Sequence, residues 1–387
     1  MSNALWTYPW DIADIGQEAV SSELRELGFD MISLATVYHA GRFLQVRSPK
    51  RRAYFPEDGT LYFRPDAAIW QGEAVQPLVS SLAQEQDVLR GVIEARDAGG
   101  LDVSCWTVCL HNSALGFANP DLVTRNAFCD ANSYNLCPAN PKAQAYVSNL
   151  VRDIAQNYQP NRIELESPNF LGFAHEYHHE KDMVGLPPEG DFLMALCFCE
   201  HCQLAGQAAG LDVGAIETRV KGLIDHMCEG DTPTRVCADF PERGLDAFDL
   251  DPELRAYLDL RFDHVNAVLE RAKEACVAAT ELMLVDGQTG WIGGCDHIAA
   301  AELGLKVMLC AYDMGPEAAQ DLAHYAQGLP KEAGGQVGLR LGFPEFAGRE
   351  ALAERINLLR SHGVTGVNLY NYGLVPKARL DWVRGCL

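Results

Sequence analysis

Positive charge is scarce in this chain. Lysine and arginine total 31 against 53 aspartates and glutamates, a net charge of -22. So acidic a surface repels phosphate backbones and anionic headgroups, which argues against nucleic-acid and membrane partners and leaves neutral substrates such as sugars. Long apolar runs are missing as well. No window approaches the roughly 20 residues that a membrane helix needs. The opening stretch, Met1 to Gly16, has neither the basic start nor the apolar core of a secretion signal, and it reads as part of the fold. The expectation is a cytoplasmic protein. No glycine-rich phosphate-cradling loop appears, so no organic cofactor is expected. The first turn, Tyr8-Pro9-Trp10-Asp11, has no glycine, which argues against an open doubly wound sheet.

What is present is an alternation of short apolar strands and amphipathic helices, repeated eight times along 387 residues. The strands are read at Ala4 to Trp10, Phe29 to Tyr38, Leu101 to Leu110, Arg162 to Glu166, Glu281 to Asp286, Leu305 to Tyr312, Gln336 to Leu341 and Val364 to Tyr370. Helices are read at Gln17 to Leu27, ending at Gly28, and at Leu78 to Asp97. Others open on a capping residue followed by proline, at Asn140-Pro141 and Asp251-Pro252. Eight strand–helix pairs predict a single α/β domain, a (β/α)8 TIM barrel with long strand-to-helix loops. The longest insertion follows strand four, at about 167–250, with a helix near Val213 to Met227. The long loops all emerge on the face where this fold carries its sites. They hold Tyr38, His39, Arg42, His111, Asn112, His175, His178, Asp286, Tyr312 and Asn371, the candidate substrate-binding residues.

Two glutamates stand at strand ends on this face. In Arg162-Ile163-Glu164-Leu165-Glu166, alternation turns Ile163 and Leu165 toward the helices and both glutamates into the barrel, with Glu166 at the rim. Glu345 follows strand seven, on the opposite side of the mouth. Two carboxylates across a pocket suit glycoside hydrolysis, one protonating the leaving oxygen and the other attacking the anomeric carbon or activating water. Each alone also reads as a solvated rim carboxylate, with Arg340 a ready partner for Glu345. Asp286 and Asp313 read equally as sugar ligands and as helix caps, and Trp10, Trp106 and Trp291 as stacking platforms or core.

Thirteen cysteines in a long chain without a leader read as core thiols and metal ligands rather than disulfides. Cys197, Cys199 and Cys202 form a CxCxxC knuckle, which holds a tetrahedral ion, usually zinc, when a fourth ligand arrives from elsewhere. His175-Glu176-Tyr177-His178-His179 matches HExxH, the pattern of zinc proteases. It follows a strand and has room for about two turns of helix. A metal-dependent hydrolase using His175 and His179 is therefore one alternative. A carbohydrate-binding barrel without catalysis is another.

With Cys137-Pro138-Ala139-Asn140-Pro141 before strand four, Leu165-Glu166 at its end and the CxCxxC knuckle beyond it, the sequence resembles glycoside hydrolase family 42, the barrel β-galactosidases. That resemblance implies Glu166 as acid/base and Glu345 as nucleophile of a retaining reaction. It also implies a structural zinc on Cys137, Cys197, Cys199 and Cys202. The family has asparagine where Leu165 stands here. A retaining pair stands about 5–5.5 Å apart and an inverting pair about 6.5–9.5 Å. The expected partner is a carbohydrate, and a homo-oligomer is left open.

Overall fold

A computed structural model describes residues 2–175, 181–342 and 345–387. Eight parallel strands form its centre: β1 (Ala4–Thr7), β2 (Met31–Tyr38), β3 (Asp102–Val108), β4 (Arg162–Glu166), β5 (Glu281–Asp286), β6 (Lys306–Cys310), β7 (Gln336–Arg340) and β8 (Gly366–Tyr370). Each pairs with the next, and β1 pairs with both β2 and β8, so the sheet closes into a (β/α)8 barrel. Seven helices return the chain between strands: α1 (Gln17–Leu27), α2 (Val88–Asp97), α3 (Pro141–Asp153), α4 (Pro252–Ala275), α5 (His297–Glu302), α6 (Pro316–Gly328) and α7 (Arg349–Ser361). Among the described residues no helix is long and apolar enough to cross a membrane.

Local chemistry sets the helix limits. Gly28 closes α1 at φ +93°, a conformation costly to any residue with a Cβ. At the start of α3 the Asn140 side chain accepts from the Lys142 amide, with Pro141 first in the helix; Asp251 and Pro252 repeat the device at α4. Two expectations need correction. The strand read through Trp10 stops at Thr7, and Pro9–Ile15 is helical. Pro9 pre-sets the first turn, and Asp11 accepts from the Tyr8 amide at 3.0 Å. The helix read over Leu78 to Asp97 is broken. Leu78–Val79 pairs with Thr60–Leu61, then Ser80 caps Ser81–Glu85 and Asp87 caps α2.

Alternation divides the strand residues into two layers. Leu5, Ile32, Val103, Ile163, Leu282, Val307, Val337 and Val367 face outward into the core beneath the helices. Trp6, Ala35, Trp106, Met283 and Met308 point inward and fill the barrel. Among them, at its centre, lies Glu164, fully buried. Its carboxylate accepts from Trp6 Nε1, Ser33 Oγ and Ser104 Oγ, each at 2.8 Å, and from Asn368 Nδ2 at 3.2 Å. Four other strands thus converge on one side chain. A buried acceptor matched by so many donors is costly to remove, because the donors are stranded. We expect Glu164→Ala to lower stability by about 3–5 kcal/mol in urea unfolding. A loss no larger than that of a surface substitution would show that the donors find other partners.

Candidate functional site

The barrel mouth opens onto a cavity of about 360 Å³. Its floor and walls come from the C-terminal ends of the strands and from the loops that follow them. Trp6, Tyr38, Trp106, Tyr312 and Tyr370 supply aromatic faces, and Glu166, Asp286 and Arg340 supply charge. Glu166 ends β4, and the Trp106 indole N–H donates to its Oε2. The next residue, Ser167, holds φ at +53°, a conformation non-glycine residues seldom adopt. Backbone strain of this kind collects at functional sites, and here it ends the strand beneath the cavity. Burial raises the Glu166 pKa. His39 and the Trp106 hydrogen bond pull it down, and Glu164 below pushes it up. The outcome is a carboxyl that holds its proton to higher pH than an exposed glutamate.

Two of the lining tyrosines, Tyr38 and Tyr370, share the buried hydroxyl of Tyr8. Tyr8 OH lies 3.1 Å from Tyr38 OH and 2.6 Å from Tyr370 OH. Burial pushes all three phenols up, so they stay protonated donors. Arg340 sits with its guanidinium 4.7 Å from the centre of the Tyr312 ring and bonds Asp313 at 3.1 Å. Asp286 accepts from the Gly287 amide and lies 3.0 Å from His297 Nε2, whose other ring nitrogen is 2.8 Å from Tyr325 OH.

The remaining candidates divide by place. His39 stacks on Tyr38 at 4.4 Å between ring centres and on His111 at 4.6 Å. His111 is buried, which, with His39 and His175 beside it, drives its pKa down to about 2 and keeps it neutral. His175 Nε2 lies 3.3 Å from His111 Nδ1. Two candidates serve the backbone. Asn112 accepts from the Leu115 amide and donates to Gly59 O, and Asn371 accepts from the Gly373 amide. Arg42 is exposed and is not among the residues that line the cavity. His178 and His179, with Glu176, lie outside the described residues, and so does the greater part of the HExxH match.

Glu345 is not among the residues lining the cavity. Burial and neighbouring Asp313 push its pKa up to about 7, against the pull of Arg340 and Arg355. Arg340 is therefore the group common to Glu345 and the cavity wall. Trp6, Tyr370 and Arg340 were not singled out as ligands from sequence. The available signal was the two-residue alternation, which turns each inward beside a neighbour already facing the helices.

A second constellation lies between the insertion and the start of α3. Cys137, just ahead of α3, meets Cys197, Cys199 and Cys202, all four buried and with sulfurs within 4.8 Å of one another. Cys137 Sγ is 3.8, 3.5 and 3.6 Å from the other three in turn. A disulfide would need about 2.05 Å. A tetrahedron with Zn–S bonds of about 2.3 Å has edges of about 3.8 Å, so these sulfurs fit a four-thiolate ion site. The Arg125 and Cys199 amides donate to Cys197 Sγ, both at 3.4 Å, as outer partners of a ligating sulfur do. Hydrogen bonds from Cys137, Cys197 and Cys202 favour the thiolate at Cys199. Arg261, buried nearby, adds positive charge to the surroundings.

No family model matches the chain, and no curated protein matches it. Solved structures do. The PgaB (BpsB) glycoside hydrolase domain from Bordetella bronchiseptica aligns with a TM-score of 0.57 and 12% identity, over 98% of this chain and 95% of that one. The catalytic domain of β-amylase from Paenibacillus polymyxa aligns at 0.54 and 12%, over 98% and 94%. α-L-Fucosidase isoenzyme 2 from Paenibacillus thiaminolyticus aligns at 0.56 and 14%, over 99% of this chain and 48% of that one. At such identities the likeness is one of fold: this chain is a (β/α)8 barrel built like those of these three proteins.

Proposed function

We propose that this barrel hydrolyses a glycosidic bond in a neutral carbohydrate, with Glu166 as general acid. The observation that carries the reading is the setting of Glu166. It is a single inward carboxyl at the strand-four rim, with burial favouring its protonated form, in a cavity walled by aromatic faces. Such faces stack on the apolar sides of sugar rings. The names of the three similar structures, a glycoside hydrolase domain, an amylase and a fucosidase, agree with this choice of chemistry.

In its fuller form the proposal is a retaining mechanism with Glu345 as nucleophile. The Glu345 carboxylate attacks the anomeric carbon, the bond to the leaving oxygen breaks, and the Glu166 proton goes to that oxygen. Water then attacks the glycosyl ester while Glu166 takes its proton. Support for Glu345 comes from its position after strand seven and from Arg340, shared with the cavity. Its place outside the cavity lining favours a second reading, a barrel that binds carbohydrate without cleaving it. A screen of 4-nitrophenyl glycosides separates the two. Hydrolysis with retention, read from the first-formed anomer by NMR and lost in both Glu166→Gln and Glu345→Gln, supports the retaining enzyme. Binding without turnover supports the second reading. Inversion, or full activity in Glu345→Gln, removes Glu345 as nucleophile.

The proposal includes a structural zinc on Cys137, Cys197, Cys199 and Cys202. Bound there, the ion would tie the insertion to the start of α3, outside the reaction.

A further inference from the structure

The loop that leaves β4 walls two cavities. Ser167, Asn169 and Leu171 line the central one. Phe173, Ala174 and His175 line a second, of about 540 Å³. Leu171 and Phe173 are two residues apart, so their Cα atoms are at most about 7 Å apart. A row of rings stands between the two spaces. Tyr38 belongs to the central cavity, and His39 and His111 stack in succession beside it. The His175 ring, 4.7 Å from His111 between centres, belongs to the second cavity. Tyr134 stands beyond, its ring stacked toward His175 at 6.1 Å. The second cavity carries what a sugar unit engages. Phe117 and Phe173 are 64% and 43% exposed, large apolar rings otherwise costly to leave in water, and Asn132 and Lys181 offer polar groups beside them.

We propose that the second cavity is a distal subsite for the same carbohydrate chain, so that the preferred ligand is an oligosaccharide reaching from the central cavity past His39, His111 and His175 to Phe173. This rests on the carbohydrate reading of the central cavity and names its substrate class: a neutral oligosaccharide rather than a single sugar or a short glycoside. The ring row suits such a path. Tyr38 lines the central cavity, and Tyr134 and His175 line the second, so aromatic rings on which sugar faces stack stand at both ends of it.

The test uses the full chain carrying Glu166→Gln, so that bound oligosaccharides stay intact. Cello-, xylo-, galacto- and chito-oligosaccharides of increasing length are titrated calorimetrically, together with the parent monosaccharides. The expected result is an affinity that rises with length in at least one series. Adding Phe173→Ala should reduce that rise by about tenfold, or about 1.4 kcal/mol. Phe117→Ala, at a still more exposed position, should reduce it too, and repeats the measurement should Phe173→Ala fold poorly. Equal affinity for monosaccharide and long chain overturns the distal subsite while leaving the central one intact. A length dependence that both variants preserve does the same. Absence of binding throughout the panel overturns the carbohydrate reading, and the subsite with it.

Discussion

Glu166→Gln should lower turnover of a glycoside by about 10²- to 10⁴-fold, the usual contribution of a positioned general acid. The loss should be larger for alkyl than for nitrophenyl leaving groups, because a good leaving group needs less proton donation. The pH profile supplies a sign. An acid must hold its proton, so wild-type turnover should fall as pH rises through the Glu166 pKa, which burial raises. That limb should vanish in the variant. Stability should move the other way. A carboxyl whose pKa is raised by folding contributes stability below its unfolded pKa, and this is lost as pH rises through its folded value. At neutral pH the wild type therefore bears a cost that Glu166→Gln lacks. Urea unfolding should find the variant at least as stable at pH 7, with the gap closing in acid. A variant that loses both activity and stability would instead mark Glu166 as a structural carboxylate, as Glu164 is.

The second large effect concerns the four cysteines. Purified protein should carry about one zinc per chain, and Cys199→Ser should carry almost none. The variant should unfold with a loss of about 4–5 kcal/mol, the range reached when a metal site is removed. The ion would join Cys137, before α3, to three thiols that open the helix Glu200–Ala208 in the insertion. Without it, four buried thiols crowd together with only weak hydrogen bonds between them. Chelation should reproduce the effect, most readily in acid, since thiolates must be deprotonated to bind. Wild type that is metal-free as purified and no less stable than Cys199→Ser would make the cluster plain core.

Much of the barrel was readable because its two periodicities are clean. Ile163 and Leu165 alternate with Glu164 and Glu166, and the bounds of β4 and β5 coincide with those read from sequence. α1 and the insertion helix Val213–Met227 coincide as well, each ended or opened by a residue with one clear role: Gly28 ends α1, and Asp212 caps the other. What escaped was local chemistry beneath an apolar pattern. Trp10 reads as a strand residue until Pro9 and Asp11 are taken as a helix start. Likewise, Leu78 to Asp97 reads as one helix until Ser80 and Asp87 are seen as separate caps.

The site follows the same division. Glu166, on a strand, was placed by alternation. Residues in loops were not, since no period carries through a loop. Alternation ends at Arg340 with β7, and Glu345 lies five positions on. Asn112 and Asn371 drew notice as polar groups on the working face, yet their hydrogen bonds go to backbone amides and a carbonyl. Sequence offers no means of telling a ligand asparagine from a capping one when both sit at loop ends.

The central claim is that the Glu166 carboxyl protonates a glycosidic oxygen in the aromatic cavity. The most direct measurement is a crystal structure of Glu166→Gln with an intact oligosaccharide bound. The account predicts a glycosidic oxygen about 2.6–3.2 Å from the amide at position 166, with sugar rings against Trp106 or Tyr312. A sugar bound elsewhere, or one in the cavity with its glycosidic oxygen out of hydrogen-bond reach of position 166, would contradict it.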